Sequence, residues 1–172
     1  MKPILCTLLV IPLLSFGQRY GGYVQAHLGF DLPKNVTFVY GAKLDGGVSI
    51  NNTFFIGGGA GITKIDQIEG IYIPLYANFS VAIQPYSKFF PILILQPGYG
   101  IYKEDTKLLN TSTIQSSTGG FTYFAGIGVG ISTQIKVKSC VSIGYSQYNF
   151  KAATGEIFNF KGPSIRITML ML

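Results

Sequence analysis

The sequence predicts an all-β protein: eight antiparallel strands closed into an up-and-down β-barrel that crosses a membrane. Three observations lead to this fold. Apolar residues alternate with small or polar ones over segments of about ten residues, as in strands with two unlike faces. No segment reaches the roughly 18 consecutive apolar residues of a membrane-spanning helix. The connections between segments alternate between loops and turns, which places all the loops at one end of the barrel.

The first residues have the pattern of a secretory signal peptide. Lys2 precedes an apolar run over residues 4–14, and Gly17 supplies a small residue at the cleavage site. This apolar run is too short to anchor the chain in a membrane. We therefore expect a cleaved signal peptide at residues 1–17 and one barrel domain at residues 18–172.

The alternation is seen clearly over residues 40–50 (YGAKLDGGVSI). One face of this strand would carry Tyr, Ala, Leu, Gly, Val and Ile, and the other would carry Gly, Lys, Asp and Ser. A tilted strand of about 9–11 residues crosses a bilayer. In a membrane barrel the apolar face contacts lipid and the polar face lines the lumen, whereas a soluble barrel places its apolar face inside.

Eight segments follow this pattern along the chain. They are residues 20–30, 40–50, 53–63, 70–82, 89–102, 120–132, 139–148 and 163–172. Asn51 and Asn52 form a tight turn, because asparagine tolerates positive φ. Pro74 lacks a ladder donor and predicts a bulge or weak pairing in the fourth strand. The fifth segment is apolar on both faces, so its register is the least defined.

The connections are predicted to be loops and turns in alternation. Loops at residues 31–38, 64–69, 103–119 and 149–162 alternate with turns at residues 51–52, 83–88 and 133–138, and the three longest connections are all loops. Barrels of the bacterial outer membrane have an even number of strands, short periplasmic turns and longer outer loops. This order predicts that the protein resides in the cell outer membrane.

Charged residues are few and are placed selectively. They make up 12% of the chain, about half the usual share. Within the predicted strands they are Lys43, Asp45 and Arg166, all on the polar face. Lys or Arg on the lipid face near the midplane would cost about 2–4 kcal/mol, so this placement favours a membrane barrel. The basic residues form no stripe with aromatic side chains, and we expect no nucleic-acid partner.

The polar face predicts the content of the lumen. An eight-stranded barrel has an interior just wide enough for its own side chains to fill. With the first loop centred midway between the first two strands, Gln25 lies opposite Asp45 and His27 lies opposite Lys43. Buried charges need partners, so Asp45 should pair with Lys43 or Arg166. We therefore predict a polar network that plugs the lumen, formed by Gln25, His27, Lys43, Asp45 and Arg166.

Residues that could carry chemistry are scarce. A nucleophilic site needs a base within hydrogen-bond reach of a hydroxyl, and no strand-borne serine is clearly adjacent to His27, the only histidine. Metal sites need several converging ligands. We predict no catalytic residue, metal or cofactor. Residues 57–61 (GGGAG) lack the ending of a phosphate loop, and we expect them to make room for large lumen side chains such as Tyr23, Tyr76 or Arg166.

Several segments carry a resemblance to a known family. They are residues 73–81 (IPLYANFSV), Pro91 with residues 96–100 (QPGYG), residues 119–121 (GGF) leading into residues 126–130 (GIGVG), and residues 144–146 (GYS). On these segments the sequence resembles the eight-stranded outer-membrane β-barrel family of Gram-negative bacteria, in the form common in Bacteroidetes-type genomes. The resemblance implies export and insertion by the barrel-assembly machinery. The last strand of that family commonly ends in an aromatic residue, whereas this chain ends in Met-Leu-Met-Leu.

These observations predict an integral, porin-like outer-membrane barrel with a plugged lumen that acts as a structural or surface-interaction protein. Its partners would be outer-membrane lipid and, at the loop of residues 103–119, a surface protein, glycan or lipid headgroup, because loops carry binding function more often than scaffolds do. Three alternatives stay open: a narrow pore, a lipid-modifying enzyme that uses His27 as base, and a soluble lipocalin-like barrel that holds an apolar ligand.

Overall fold

The computed structural model describes most of the proposed barrel domain. The described residues are 20–33, 38–66, 70–108, 111–132, 137–151 and 157–172. The signal peptide expected at residues 1–17 lies outside them. No helix in the described part of the chain is long and apolar enough to cross a membrane.

The described chain forms a closed eight-stranded barrel, as the alternation predicted. The strands are β1 (Tyr20–Asp31), β2 (Val39–Ile50), β3 (Phe54–Ile65), β4 (Ile71–Ala82), β5 (Phe89–Leu108), β6 (Thr111–Ser132), β7 (Val137–Lys151) and β8 (Ile157–Met171). Each strand pairs antiparallel with the next, and β1 pairs with β8 to close the barrel. The fold class is therefore confirmed.

The first hairpin has the predicted register. Gln25 pairs with Asp45 and His27 pairs with Lys43. The turn between β2 and β3 is also as expected: Asn51 and Asn52 have φ values of 53° and 55°. The side-chain period of two means that a slip of one residue would turn every polar side chain of β2 toward the outer face. The correct register therefore fixes which side chains of this hairpin enter the lumen.

Pairing between β3 and β4 is interrupted near Pro74. Ala60 pairs with Leu75 and Thr63 pairs with Tyr72, but the register contains no partners between these two positions. On its other side β4 stays paired with β5 at this point. Because proline has no N–H to donate, the weak point falls where the sequence predicted it.

The prediction that residues 103–119 form a loop was wrong. β5 and β6 continue past the rim as a paired hairpin, from Lys103 opposite Ser116 to Leu108 opposite Thr111. A register shift between Ile101 and Lys103 separates this hairpin from the barrel wall. The segment is rich in threonine, whose β-branched side chain favours strands, so a polar composition here does not mark a break in the strand.

The fourth long connection is also shorter than predicted. β7 continues to Lys151 and β8 already begins at Ile157, which leaves residues 152–156 of the predicted loop of residues 149–162 between the strands. In the same way β1 includes Asp31, which the sequence placed in a loop. These missed strand ends place side chains inside the barrel: Asp31 accepts hydrogen bonds from Ser146 and Tyr148, and Phe150 and Phe160 are buried.

The apolar face of every strand points outward. Large side chains that are about half exposed cover the wall on all eight strands: Val24, Leu28, Leu44, Val48, Ile56, Ile62, Leu75, Phe79, Leu93, Leu95, Ile127, Val129, Val141, Ile143, Ile165 and Ile167. The polar face points inward and is buried. This orientation is the reverse of a soluble barrel with an apolar interior, so the lipocalin-like alternative does not fit the structure.

The candidate functional site in the lumen

The predicted network residues come together on three neighbouring strands. β1 contributes Gln25 and His27, β2 contributes Lys43 and Asp45, and β8 contributes Arg166. Because β1 pairs with both β2 and β8, its inward side chains lie between those of the other two strands. All five face the lumen; four are buried and the side chain of Lys43 is partly buried.

His27 is the centre of the best-defined contact. Its Nε2 lies 3.0 Å from Asp45 Oδ1, and its Nδ1 lies 2.8 Å from Thr168 Oγ1. An ionised carboxylate can only accept, so Nε2 donates to Asp45, and Nδ1 of a neutral imidazole accepts from the Thr168 hydroxyl. The prediction that Asp45 pairs with Lys43 or Arg166 was therefore wrong: the side-chain partner of Asp45 among the described residues is His27. The His27 imidazole reaches Asp45 diagonally across the β1–β2 hairpin, whereas the Lys43 ammonium does not contact Asp45.

Arg166 belongs to a chain of amide side chains. It donates to Gln96 Oε1, Gln96 Nε2 donates to Asn78 Oδ1 at 3.2 Å, and Asn78 Nδ2 donates to Gln25 Oε1 at 3.4 Å. The guanidinium carbon of Arg166 also lies 3.3 Å from the centroid of the Phe124 ring, a stacking contact that arginine makes readily. The network thus joins β8 to β5, β4 and β1 across the lumen.

Lys43 and Asp31 lie nearer the end with the long connections. The Lys43 ammonium is 5.5 Å from the Tyr76 ring centroid and 5.9 Å from that of Tyr148, within cation–π distance. Asp31 accepts hydrogen bonds from Ser146, at 2.8 Å, and from Tyr148. The two carboxylates of Asp31 and Asp45 balance the charges of Lys43 and Arg166, as buried charge requires.

Sequence reasoning missed Asp31 and Tyr148. A signal for Asp31 was present, because the inward positions of β1 recur every second residue and lead from His27 through Gly29 to Asp31. Tyr148 was placed at the end of its strand, so its side was not assigned. The glycines of β3 make room as predicted: a side chain at Gly57 would meet the Tyr23 hydroxyl, and one at Gly61 would meet Lys43.

Apolar side chains fill the lumen on both sides of the polar network. A cluster at the end with the long connections contains Val39, Ile65, Tyr72, Tyr102, Tyr148, Phe150 and Phe160. A second cluster at the end with the short turns contains Tyr23, Phe55, Ala82, Phe90 and Leu170. The polar network lies between these two clusters. Strand β5, which is apolar on both faces, contributes Tyr102 to the first cluster and Phe90 to the second.

The chemistry open to this arrangement is limited. Thr168, His27 and Asp45 have the order of groups in a hydroxyl–imidazole–carboxylate relay. All three are buried between the apolar clusters, however, and a membrane lipid would lie on the other side of the barrel wall. In the part of the chain that the structure describes, no group of three or more His, Cys, Asp or Glu residues could hold a metal ion. The geometry supports packing and charge compensation.

No family model and no curated protein matches the chain. Among solved structures, the chain is similar to Neisserial surface protein A, with a TM-score of 0.65 and 11% sequence identity over 90% of this chain and 98% of that one. It is also similar to the N-terminal β-barrel domain of Pseudomonas aeruginosa OprF, with a TM-score of 0.50 and 10% identity over 89% of this chain and 100% of that one. At these identities the likeness concerns the fold: the chain is an eight-stranded antiparallel barrel of the kind that outer-membrane proteins adopt.

Proposed function

We propose that the protein is an integral outer-membrane β-barrel whose lumen is closed by its own side chains and which acts through contacts at the cell surface. The observation that carries this proposal is the outward orientation of large apolar side chains on all eight strands. In water such a wall would expose a continuous apolar surface, which monomeric soluble proteins rarely carry. In a bilayer the same wall faces hydrocarbon, and closure of the barrel leaves no open sheet edge in the described wall.

The ends of the wall support the same placement. Tyr20 and Phe54 are exposed near the short turns, and Phe30, Tyr40 and Phe121 are exposed near the long connections. Membrane barrels carry aromatic girdles at both interfaces. The chain has no tryptophan, so tyrosine and phenylalanine would fill this role alone. The distance between the two groups of rings along each strand would then define the span of the bilayer.

The packed interior favours a closed lumen over the narrow pore. An ion crossing the barrel would have to displace rings such as Phe150 and Tyr72 at one end and Phe55 and Phe90 at the other, all of them fully buried. Tyr102 and Phe150 stack with ring centroids 4.6 Å apart, and Tyr72 and Tyr148 meet edge to face at 5.4 Å. Such pairs add to the burial energy of the rings.

Folding of the mature chain in detergent and in cells tests this proposal. We expect a species that migrates differently on cold SDS gels before and after boiling, and we expect the protein in the outer-membrane fraction. The same sample in planar bilayers should show no ion conductance. A soluble periplasmic protein with no heat shift would overturn the membrane placement, and stepwise conductance would support the narrow pore instead.

We also propose that the β5–β6 hairpin beyond Lys103 is the contact element at the cell surface. Beyond Lys103, β5 pairs with β6 alone among the described residues, and the hairpin extends about 17 Å past that point at a rise of about 3.4 Å per residue. The backbone of each arm therefore has one edge without a strand partner in the described chain. An extended segment of another polypeptide could add to such an edge through main-chain hydrogen bonds.

Epitope tags test which end of the barrel faces the cell exterior. A tag inserted between residues 109 and 110 should bind antibody on intact cells, because we place the long connections outside. A matched tag between Asn51 and Asn52, in the turn at the opposite end, should bind only after the outer membrane is permeabilised. The reverse pattern would overturn the surface role of the hairpin while leaving the barrel itself intact.

A further inference from the structure

The outer wall of the barrel is indented over strands β4 to β8. The indentation is an apolar trough of about 990 Å³, at the upper end of the roughly 300–1,000 Å³ of small-molecule sites. Its floor is formed by small residues where Ala125 and Gly126 of β6 pair with Tyr145 and Gly144 of β7. Larger side chains form its two sides: Phe79, Leu93 and Leu95 on one, and Ile143, Pro163 and Ile165 on the other.

A polar cluster lies directly above this trough on the same outer face. Gln147 pairs with Lys161, and Asn149 pairs with Asn159, one and two outward positions beyond the Tyr145–Pro163 pair that lines the trough. Gln147 Nε2 lies 3.1 Å from Asn149 Oδ1 and 3.5 Å from Asn159 Oδ1, so the amides form one group.

The position of this polar cluster matches the headgroup region. Phe30, a residue of the proposed girdle, pairs with Ile165 of β8, and Lys161 lies two outward positions beyond Ile165 toward the long connections. Lys161 is exposed, and no carboxylate among the described residues forms an ion pair with it. The outer wall therefore presents an apolar trough that ends in amide groups and one cation.

We propose that the trough and the polar cluster together bind one membrane lipid with an anionic phosphate headgroup. This inference rests on the proposed membrane placement. An acyl chain lies in the trough over Ala125, where the concave wall makes more contacts with it than a convex wall makes with bulk lipid. The phosphate accepts hydrogen bonds from Lys161 and from the amide N–H groups of Asn149 or Asn159. Lys161 makes the site prefer lipids with a negatively charged headgroup, and the trough makes the acyl chain bind here and not elsewhere on the wall.

Tryptophan reporters in lipid vesicles test the site, because the chain has no tryptophan of its own. Tyr145→Trp places a reporter in the trough, and Tyr99→Trp places one on β5 outside the trough lining. The vesicles are phosphatidylcholine with the same minor fraction of either brominated phosphatidylglycerol or brominated phosphatidylcholine, and quenching by each reports the lipid beside each reporter. One Lys near an anionic headgroup predicts an enrichment of phosphatidylglycerol of about fivefold at Tyr145→Trp. We expect no enrichment at Tyr99→Trp.

Two substitutions separate the parts of the site. In the Tyr145→Trp background, Lys161→Gln should abolish the enrichment, whereas Lys103→Gln, at the rim of β5, should leave it unchanged. Ala125→Phe fills the floor of the trough and should abolish it as well, whereas Ala60→Phe, on the outer face of β3, should not. These four positions face outward, so the substitutions leave the packing of the lumen unchanged.

Each other outcome overturns the inference. Equal quenching by both lipids at Tyr145→Trp, or an enrichment that survives Lys161→Gln, would show that no headgroup is recognised. A reporter in the trough that neither lipid quenches would show that a second copy of the chain covers it. All measurements are made on vesicle-inserted protein with a heat shift on cold SDS gels. A protein that fails to insert would overturn the membrane placement together with the inference, whereas an inserted protein without enrichment overturns the lipid site alone.

Discussion

Replacing His27 by leucine is expected to lower the free energy of unfolding by about 1–3 kcal/mol, the usual cost of leaving a buried acceptor without its hydrogen-bond donor. His27 holds Asp45 Oδ1 at 3.0 Å, and Asp45 Oδ2 has no hydrogen-bond partner. Without the imidazole, neither oxygen of the carboxylate would keep a side-chain partner. The Thr168 hydroxyl would lose its contact as well.

The double variant His27→Leu/Asp45→Leu is the matched control. Because it removes both partners and leaves apolar groups in their place, it should be much more stable than His27→Leu alone. The folded fraction is read from the folded band on cold SDS gels across a urea series, since the chain has no tryptophan to report unfolding. A double variant no more stable than the single one would show that the contact contributes little beyond packing.

Replacing Leu44 by arginine is expected to lower stability in the bilayer by about 2–4 kcal/mol. Leu44 is 59% exposed at the middle of β2, on the face that we place against lipid. An arginine there must leave water for hydrocarbon or distort the bilayer to reach the interface. In a soluble barrel the same exposed position would accept a charge within about 0.5 kcal/mol.

Ile157→Arg provides the control for depth. Ile157 is 76% exposed at the first residue of β8, opposite Lys151 at the rim of the barrel. The cost of arginine falls to about 0–1 kcal/mol near the interface, so this variant should unfold almost like the unchanged protein in vesicles. If both variants were equally stable in vesicles, the wall around Leu44 would not face hydrocarbon.

The sequence was sufficient to predict side-chain pairing where both strands belong to one hairpin. The period of two along β2 and the Asn51-Asn52 turn fix the pairing of Gln25 with Asp45 and of His27 with Lys43, because both strands and their register lie within one hairpin. The hairpin beyond Lys103 was missed because a polar composition is compatible with a loop and with a strand, and only the pairing with β6 distinguishes the two.

The candidate site depends on contacts across the barrel. His27 and Asp45 are diagonal neighbours within the first hairpin, and the closure of β8 onto β1 brings Thr168 to the other side of the imidazole. Lys43, although adjacent on the same face of β2, points its ammonium toward the rings of Tyr76 and Tyr148. Spacing along one strand indicates which side chains share the lumen but not which of them meet across it.

The sequence alone therefore determined the strand number, the closed antiparallel order, the register of the first hairpin and the polar character of the lumen, because each follows from side-chain periodicity and turn chemistry within neighbouring segments. The tertiary structure decided that Asp45 pairs with His27, that apolar clusters rich in aromatic rings pack at both ends of the lumen, and that a trough indents the outer wall. The Asp45–His27 contact depends on which side chains of the first hairpin reach one another, and the other two depend on distances between strands far apart in sequence, which closure of the barrel sets.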